Sequence, residues 1–97
     1  MLIHNTIIYK ARFNKFYMDH DPECDKEYND WIRSLPGVIS VTNEILTDIK
    51  MERIIEFTDT AAYENWLVER KKQESWKKRR KYERKNGIMS ISKRHEI

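Results

Sequence analysis

Only two glycines occur in the chain, and each sits where a helical pattern gives way to a β-branched run: LPGVISV around Gly37 and KNGIMSIS around Gly87. Glycine reaches the left-handed backbone conformation that closes a helix without steric cost, so the pair marks two helix-to-strand junctions. Each helix is in turn preceded by a strand pattern. A chain punctuated this way has few ways to fold.

Before Gly37, Leu2 to Phe13 alternates, with Ile3, Ile7, Tyr9, Ala11 and Phe13 on one side and His4, Thr6, Lys10 and Arg12 on the other. Period two with β-branched and aromatic residues predicts a strand whose apolar side faces the core, with Ile8 an exception on the polar side. A polar loop is expected over Asn14 to His20. Asp21–Pro22 then opens a helix, with Asp21 as its cap, Pro22 at the first helical position and Glu23 and Asp25 in the first turn. Cys24, Tyr28, Trp31 and Leu35 share one face of it, and Pro36–Gly37 stops it.

Val38 to Leu46 and Met51 to Phe57 are the next two strand patterns. The segment between them is short enough to predict an antiparallel hairpin. Thr58–Asp59–Thr60 offers caps for a second helix whose buried face begins with Ala62, Tyr63, Trp66 and Leu67 and whose pattern extends to Asn86–Gly87. Ile88 to Ser92 reads as a last short strand with a charged tail. The order β-α-β-β-α-β predicts one ferredoxin-like α+β domain over residues 1–97, an antiparallel sheet with two helices on one face.

The second helix is unusual. Its apolar stripe ends at Leu67, and at 100° per residue Trp76 falls on the opposite side from Leu67. A straight helix from Thr60 to Asn86 would also run about 40 Å. Two outcomes fit: a bend near Gln73–Ser75, or a basic arm over residues 70–86 projecting towards a partner. Charge divides at the same place. Residues 1–69 carry 7 Lys/Arg and 13 Asp/Glu, whereas residues 70–97 carry 12 Lys/Arg and 3 Asp/Glu. Such a split predicts an anionic partner, or a pairing of the chain's own acidic and basic faces, within one copy or across a dimer.

The segment SWKKRRKYERKNG makes nucleic acid the leading candidate partner, RNA or DNA. Lys71, Lys72, Lys77, Lys78 and Lys81 would neutralise phosphates, joined by Lys85. Arg79, Arg80 and Arg84 would fork onto them, and Trp76 and Tyr82 would stack on unpaired bases. The alternative is a solvated helix whose Trp76 and Tyr82 pack on a dimer mate or another protein.

Other chemistry is thinly signalled. DHDPECD (Asp19 to Asp25) gathers oxygen, nitrogen and sulfur donors, but several serve as helix cap and first-turn charge, so no metal site is assigned. His4 and His95 have no sequence neighbour to orient a ring. The acidic surroundings of Cys24 oppose an activated thiolate. Two glycines leave no room for a phosphate-cradling loop, and no nucleophile motif appears. The open sheet face, taken as His4, Thr6, Ile8, Thr42, Glu44 and Leu46, lacks the stacked aromatics of RNA-binding sheets, which favours a sheet-to-sheet dimer. A lone cysteine, an N-terminus without the features of a signal peptide and the lack of any apolar run of about 18 residues predict a cytoplasmic protein that does not engage membranes.

The passages WIRSLPGVISV and IIEFTDTAAYENWL, in this element order, resemble the antibiotic-biosynthesis-monooxygenase-like group of the dimeric α+β barrel proteins, over roughly Leu2 to Ser92. The resemblance implies a homodimer with sheets packed face to face and a pocket between sheet and helices in each subunit. Trp66 matches the group's pocket-lining helix Trp. Where the group often has a His, six or seven residues later, this chain has Lys72 and Gln73. That departure turns the expectation away from catalysis and from any cofactor. The leading expectation is therefore a non-enzymatic homodimer binding a polyanion through the basic helix. The alternatives are a small-molecule pocket protein, or cofactor-independent monooxygenase-like enzyme, with Tyr9, Trp31, Tyr63 and Trp66 around the pocket, and a protein-interaction module.

Overall fold

In the computed structural model, which describes residues 1–97, both glycines take the left-handed conformation at a helix-to-strand junction, with φ +79 at Gly37 and +64 at Gly87. Gly37 also lies against the second half of the fold. A Cβ there would come 2.5 Å from Ala62 Cβ and 2.8 Å from Thr58 Oγ1, and its carbonyl accepts from the Thr58 N–H at 2.8 Å.

The elements are β1 (Leu2–Tyr9), α1 (Tyr17–His20), α2 (Pro22–Ser34), β2 (Val38–Thr47), β3 (Lys50–Phe57), α3 (Thr60–Glu69), α4 (Glu74–Lys85) and β4 (Met89–Glu96). They form one antiparallel sheet in the order β2-β3-β1-β4, the expected ferredoxin-like α+β arrangement. Asp21 caps α2 by accepting from the Cys24 N–H at 3.1 Å, and Asp59 caps α3 by accepting from Ala62 at 2.9 Å. Three boundaries differ from expectation. β1 ends at Tyr9, and the alternating residues Ala11 and Phe13 fall in a turn that leaves Phe13 exposed. The loop before α2 contains the short helix α1, whose Tyr17 is buried, and β4 continues to Glu96 because β1 offers it a partner along its whole length. No helix is long and apolar enough to cross a membrane.

β1 presents the opposite face from the one its alternation suggested. Leu2 and Ile8, with His4 and Thr6 between them, point towards the helices, while Ile3, Asn5, Ile7 and Tyr9 point outward. Directly opposed residues of an antiparallel pair share a face. Leu2 pairs with Phe57, His4 with Ile55 and Ile8 with Met51, and these β3 residues are all buried. The doublets Leu2–Ile3 and Ile7–Ile8 give either face an apolar residue at each end, so pairing with β3 decides the register. The open face thus carries Ile7, Tyr9 and Ile91 beside Thr42 and Glu44, while Leu46 falls in the β2 bulge between Ile45 and Thr47. His4, Thr6 and Ile8 do not belong to it.

Leu2, Tyr28, Ile32, Val41, Ile55 and Phe57 form the main core with Tyr63 and Trp66, and Ile8, Phe16, Met51 and Ile88 close the other end of the sheet. The second helix breaks. After α3, Arg70–Lys72 make one 3-10 turn, and Gln73 is extended (φ −87, ψ 129) before α4 begins. Because the stripe that holds α3 ends at Leu67, a straight continuation would leave Trp76 and Tyr82 without cover. The break turns α4 onto α2, and Ser75, Arg79 and Glu83, at successive helical turns, form its buried side. The basic segment is a packed helix and not a projecting arm.

A cationic cavity as the candidate functional site

The break leaves a space. β4 is an edge strand exposed along its length, so a cavity of about 320 Å³ opens over β1 and β4 between the two halves of the broken helix. Its floor is polar. Thr6 pairs with Ser92 across the β1–β4 ladder with their hydroxyl oxygens 3.0 Å apart, and Ser90 lies two residues away. Trp66 and Arg70 form one wall, one helical turn apart. Trp76, Arg79, Arg80, Glu83 and Arg84 form the other, with Arg53 of β3 also reaching the lining.

The walls carry more buried positive charge than the chain neutralises. The Arg70 guanidinium lies over two indole rings, 4.7 Å from that of Trp66 and 5.5 Å from that of Trp76, within cation–π range of both. It takes part in none of the ion pairs. Arg79, 8 % exposed, sits 4.7 Å over the Tyr28 ring, and its Nε is 3.9 Å from Glu83 Oε1, beyond hydrogen-bond reach. Arg80 shares that carboxylate at 3.8 Å. Arg53 donates to Asn43 Oδ1 at 3.0 Å and lies 3.7 Å from Asp25, which accepts from Asn29. Three guanidinium groups, those of Arg53, Arg79 and Arg80, therefore share two carboxylates, and Arg70 has none. Burial pushes both Asp25 and Glu83 up from the ordinary carboxylate range, opposed most strongly by the Arg79 charge. Burial likewise pulls Arg70 down.

Several buried donors here make no well-formed hydrogen bond within the chain: Nε of Arg70, Nε and Nη1 of Arg79, and the Trp66 indole N–H, the Tyr28 hydroxyl being the acceptor nearest to Arg79 and Trp66. Native proteins pair nearly all such groups. His4 lies behind Trp66, its ring 5.1 Å from that indole and 5.4 Å from Tyr63.

The residues singled out from sequence separate. Lys71, Lys72, Lys77, Lys78, Lys81 and Lys85 are exposed, as is Arg84 on the cavity rim. Arg79 is buried and Arg80 half-buried, both turned to the cavity, because α4 packs this side inward. Trp76 is packed against the core under Arg70. Tyr82 stacks on His20 with ring centres 4.2 Å apart, and its hydroxyl donates to the Lys15 carbonyl at 2.7 Å. Neither aromatic is a free stacking platform. Of the aromatic quartet, Tyr63 and Trp66 meet in the core and Trp66 lines the cavity. Trp31 stacks on Tyr28 from α2, and Tyr9 lies on the outer sheet face. Arg53, Arg70, Glu83 and the floor hydroxyls were not anticipated. Arg53 stood out nonetheless, as the one charge in the inward register of MERIIEF, and Arg70 follows Trp66 by four residues on one helical face.

No family model matches the sequence, and no curated protein does. Solved structures match the fold. A mutant of SnoaB, a cofactor-independent oxygenase from Streptomyces nogalater, superposes with a TM-score of 0.66 at 14% identity, over 99% of this chain and 92% of its own. A putative antibiotic biosynthesis monooxygenase from Deinococcus radiodurans gives 0.75 at 10% identity, over 100% and 92%. The structural-genomics protein YJCS gives 0.62 at 10%, over 100% and 99%. The fold is the one the resemblance in sequence implied.

Proposed function

We propose that this chain is a small-molecule-binding protein of the dimeric α+β barrel type, with its site in the cavity between the sheet and the broken helix. The observation that carries the reading is the cavity itself: about 320 Å³ lined by Trp66, Trp76, several arginines and the floor hydroxyls, at the lower end of the size range of ligand pockets. Its fold is shared with a protein described as a cofactor-independent oxygenase, which makes oxygenase-like chemistry the activity to assay first. The homodimer is supported by the outward-facing Tyr9, Met89 and Ile91, exposed side by side on the open sheet face.

A neutral fluorescent aromatic, N-phenyl-1-naphthylamine, tests the pocket. Saturable binding at one probe per chain is expected, abolished by Ser92→Trp, which fills the floor from an exposed edge strand. Equal binding by Ser92→Trp refutes the assignment. Trp66→Ala should weaken binding as well. Nucleic-acid binding through the basic helix becomes the second reading, since Trp76 and Tyr82 are engaged within the fold and Lys72 and Lys77 pair with Glu69 and Glu74 at 3.1 and 3.3 Å. Short RNA or DNA strands should show only weak association that salt abolishes. Retention at physiological salt that is lost on Lys78→Glu with Lys81→Glu would restore that reading.

A further inference from the structure

We propose that the cavity selects a doubly charged oxyanion, a small molecule carrying a phosphate monoester or a pair of carboxylates, which the guanidinium groups of Arg70 and Arg79 receive. The inference rests on the pocket reading and adds the ligand's chemical class.

Charge, donors and floor point to the same ligand. The lining carries six cationic side chains and one carboxylate. Buried charges persist in proteins when they are paired and hydrogen-bonded, yet Glu83 and Asp25 serve Arg53, Arg79 and Arg80 at 3.7 to 3.9 Å, and Arg70 has no carboxylate. Arg79 is more than nine-tenths buried, and two of its nitrogens make no well-formed hydrogen bond. Arg70 meets the two indoles through cation–π contact, which does not use its N–H edge, the part of a guanidinium that binds oxyanions in a fork. Hydroxyls of Thr6, Ser90 and Ser92 on the floor supply neutral donors for remaining oxygens. One carboxylate on the ligand would match Arg70 alone; two negative charges balance Arg70 and Arg79 together.

Calorimetric titration with phenyl phosphate, phthalate and neutral benzamide separates the cases. Phenyl phosphate or phthalate should bind at one per chain, at least about tenfold more tightly than benzamide, the change expected for one charge-assisted contact. Whichever of the two binds more tightly identifies the source of the charge. Arg70→Gln should reduce that affinity by about tenfold or more. Arg70 lies on a half-exposed turn, so the fold does not depend on it as it does on Arg79. Lys78→Gln with Lys81→Gln removes more charge from the outer surface of the same helix and should leave affinity unchanged. If benzamide and N-phenyl-1-naphthylamine bind as well as the anions, the pocket stands and its anion selectivity is refuted. Equal losses in the Arg70 and lysine variants reduce the effect to general surface charge and overturn the proposal. Binding by none of these probes overturns the pocket as well.

Discussion

Acid should weaken this fold through one buried histidine. His4 is 6 % exposed, wedged against Tyr63 and Trp66, and its Nδ1 has no partner. Burial, followed by the charges of Arg70 and Arg94, lowers its pKa from 6.5 to about 4. The unfolded chain takes up this proton as pH falls through 6.5, whereas the folded chain resists until about 4. The stability tied to a neutral His4 is therefore intact above 6.5 and lost progressively between 6.5 and 4. pH 5 lies about one and a half pH units below the ordinary value, so at about 1.4 kcal/mol per unit the loss relative to pH 7.5 is at most about 2 kcal/mol. Solvent screening lowers the expected value to about 1–2 kcal/mol. Urea unfolding of the native chain and of His4→Gln, each at pH 7.5 and pH 5, isolates this contribution from the carboxylates the two proteins share. The native chain should lose about 1–2 kcal/mol more than the variant on acidification. Equal losses, or an NMR titration of the His4 ring with a midpoint near 6.5, would refute the reasoning.

The two glycines should respond differently to alanine. At Gly37 the left-handed backbone and the contact with Ala62 combine, for a loss of about 2–4 kcal/mol in denaturant unfolding, whereas at Gly87 no atom lies within 4 Å and only the backbone cost of about 1–2 kcal/mol remains. Ile55→Ala, at a fully buried position between sheet and helices, should cost about 2–5 kcal/mol by the same measurement. Sedimentation should report a homodimer, and Ile91→Lys on the open sheet face should shift it towards monomer without altering the far-ultraviolet circular dichroism.

Much of this architecture is legible residue by residue. Asp21–Pro22 and the spacing of Cys24 and Tyr28 locate α2, and the alternation of MERIIEF gives β3 its buried face. β1 is not legible alone, because its apolar doublets satisfy both registers and only Met51, Ile55 and Phe57 on a distant segment choose between them. The cavity was hidden for a related reason. A run such as KKRRK is ordinarily solvated, and Ser75, Arg79 and Glu83 carry a helical period in polar side chains that hydropathy overlooks. Which cations turn inward follows from where α4 lands, and that depends on the break at Gln73. Arg53 gave the clearest available signal, a charge in a strand register otherwise reserved for Met, Ile and Phe.

The break at Gln73 has a mechanical consequence. Trp66 and Arg70 stand on one rigid rod, and Trp76 and Arg79 on another, with a single extended residue as the joint. The width of the opening is therefore held from behind, by the grip of α2 on α4 through Tyr28 beneath Arg79 and Cys24 beside the Ser75 carbonyl. Helix α2 works as the adjusting screw of a clamp, bearing on one jaw from behind through Tyr28 under Arg79 while no α2 residue lines the cavity. Selection acting on α2 can retune what the cavity admits while every side chain that lines it stays the same.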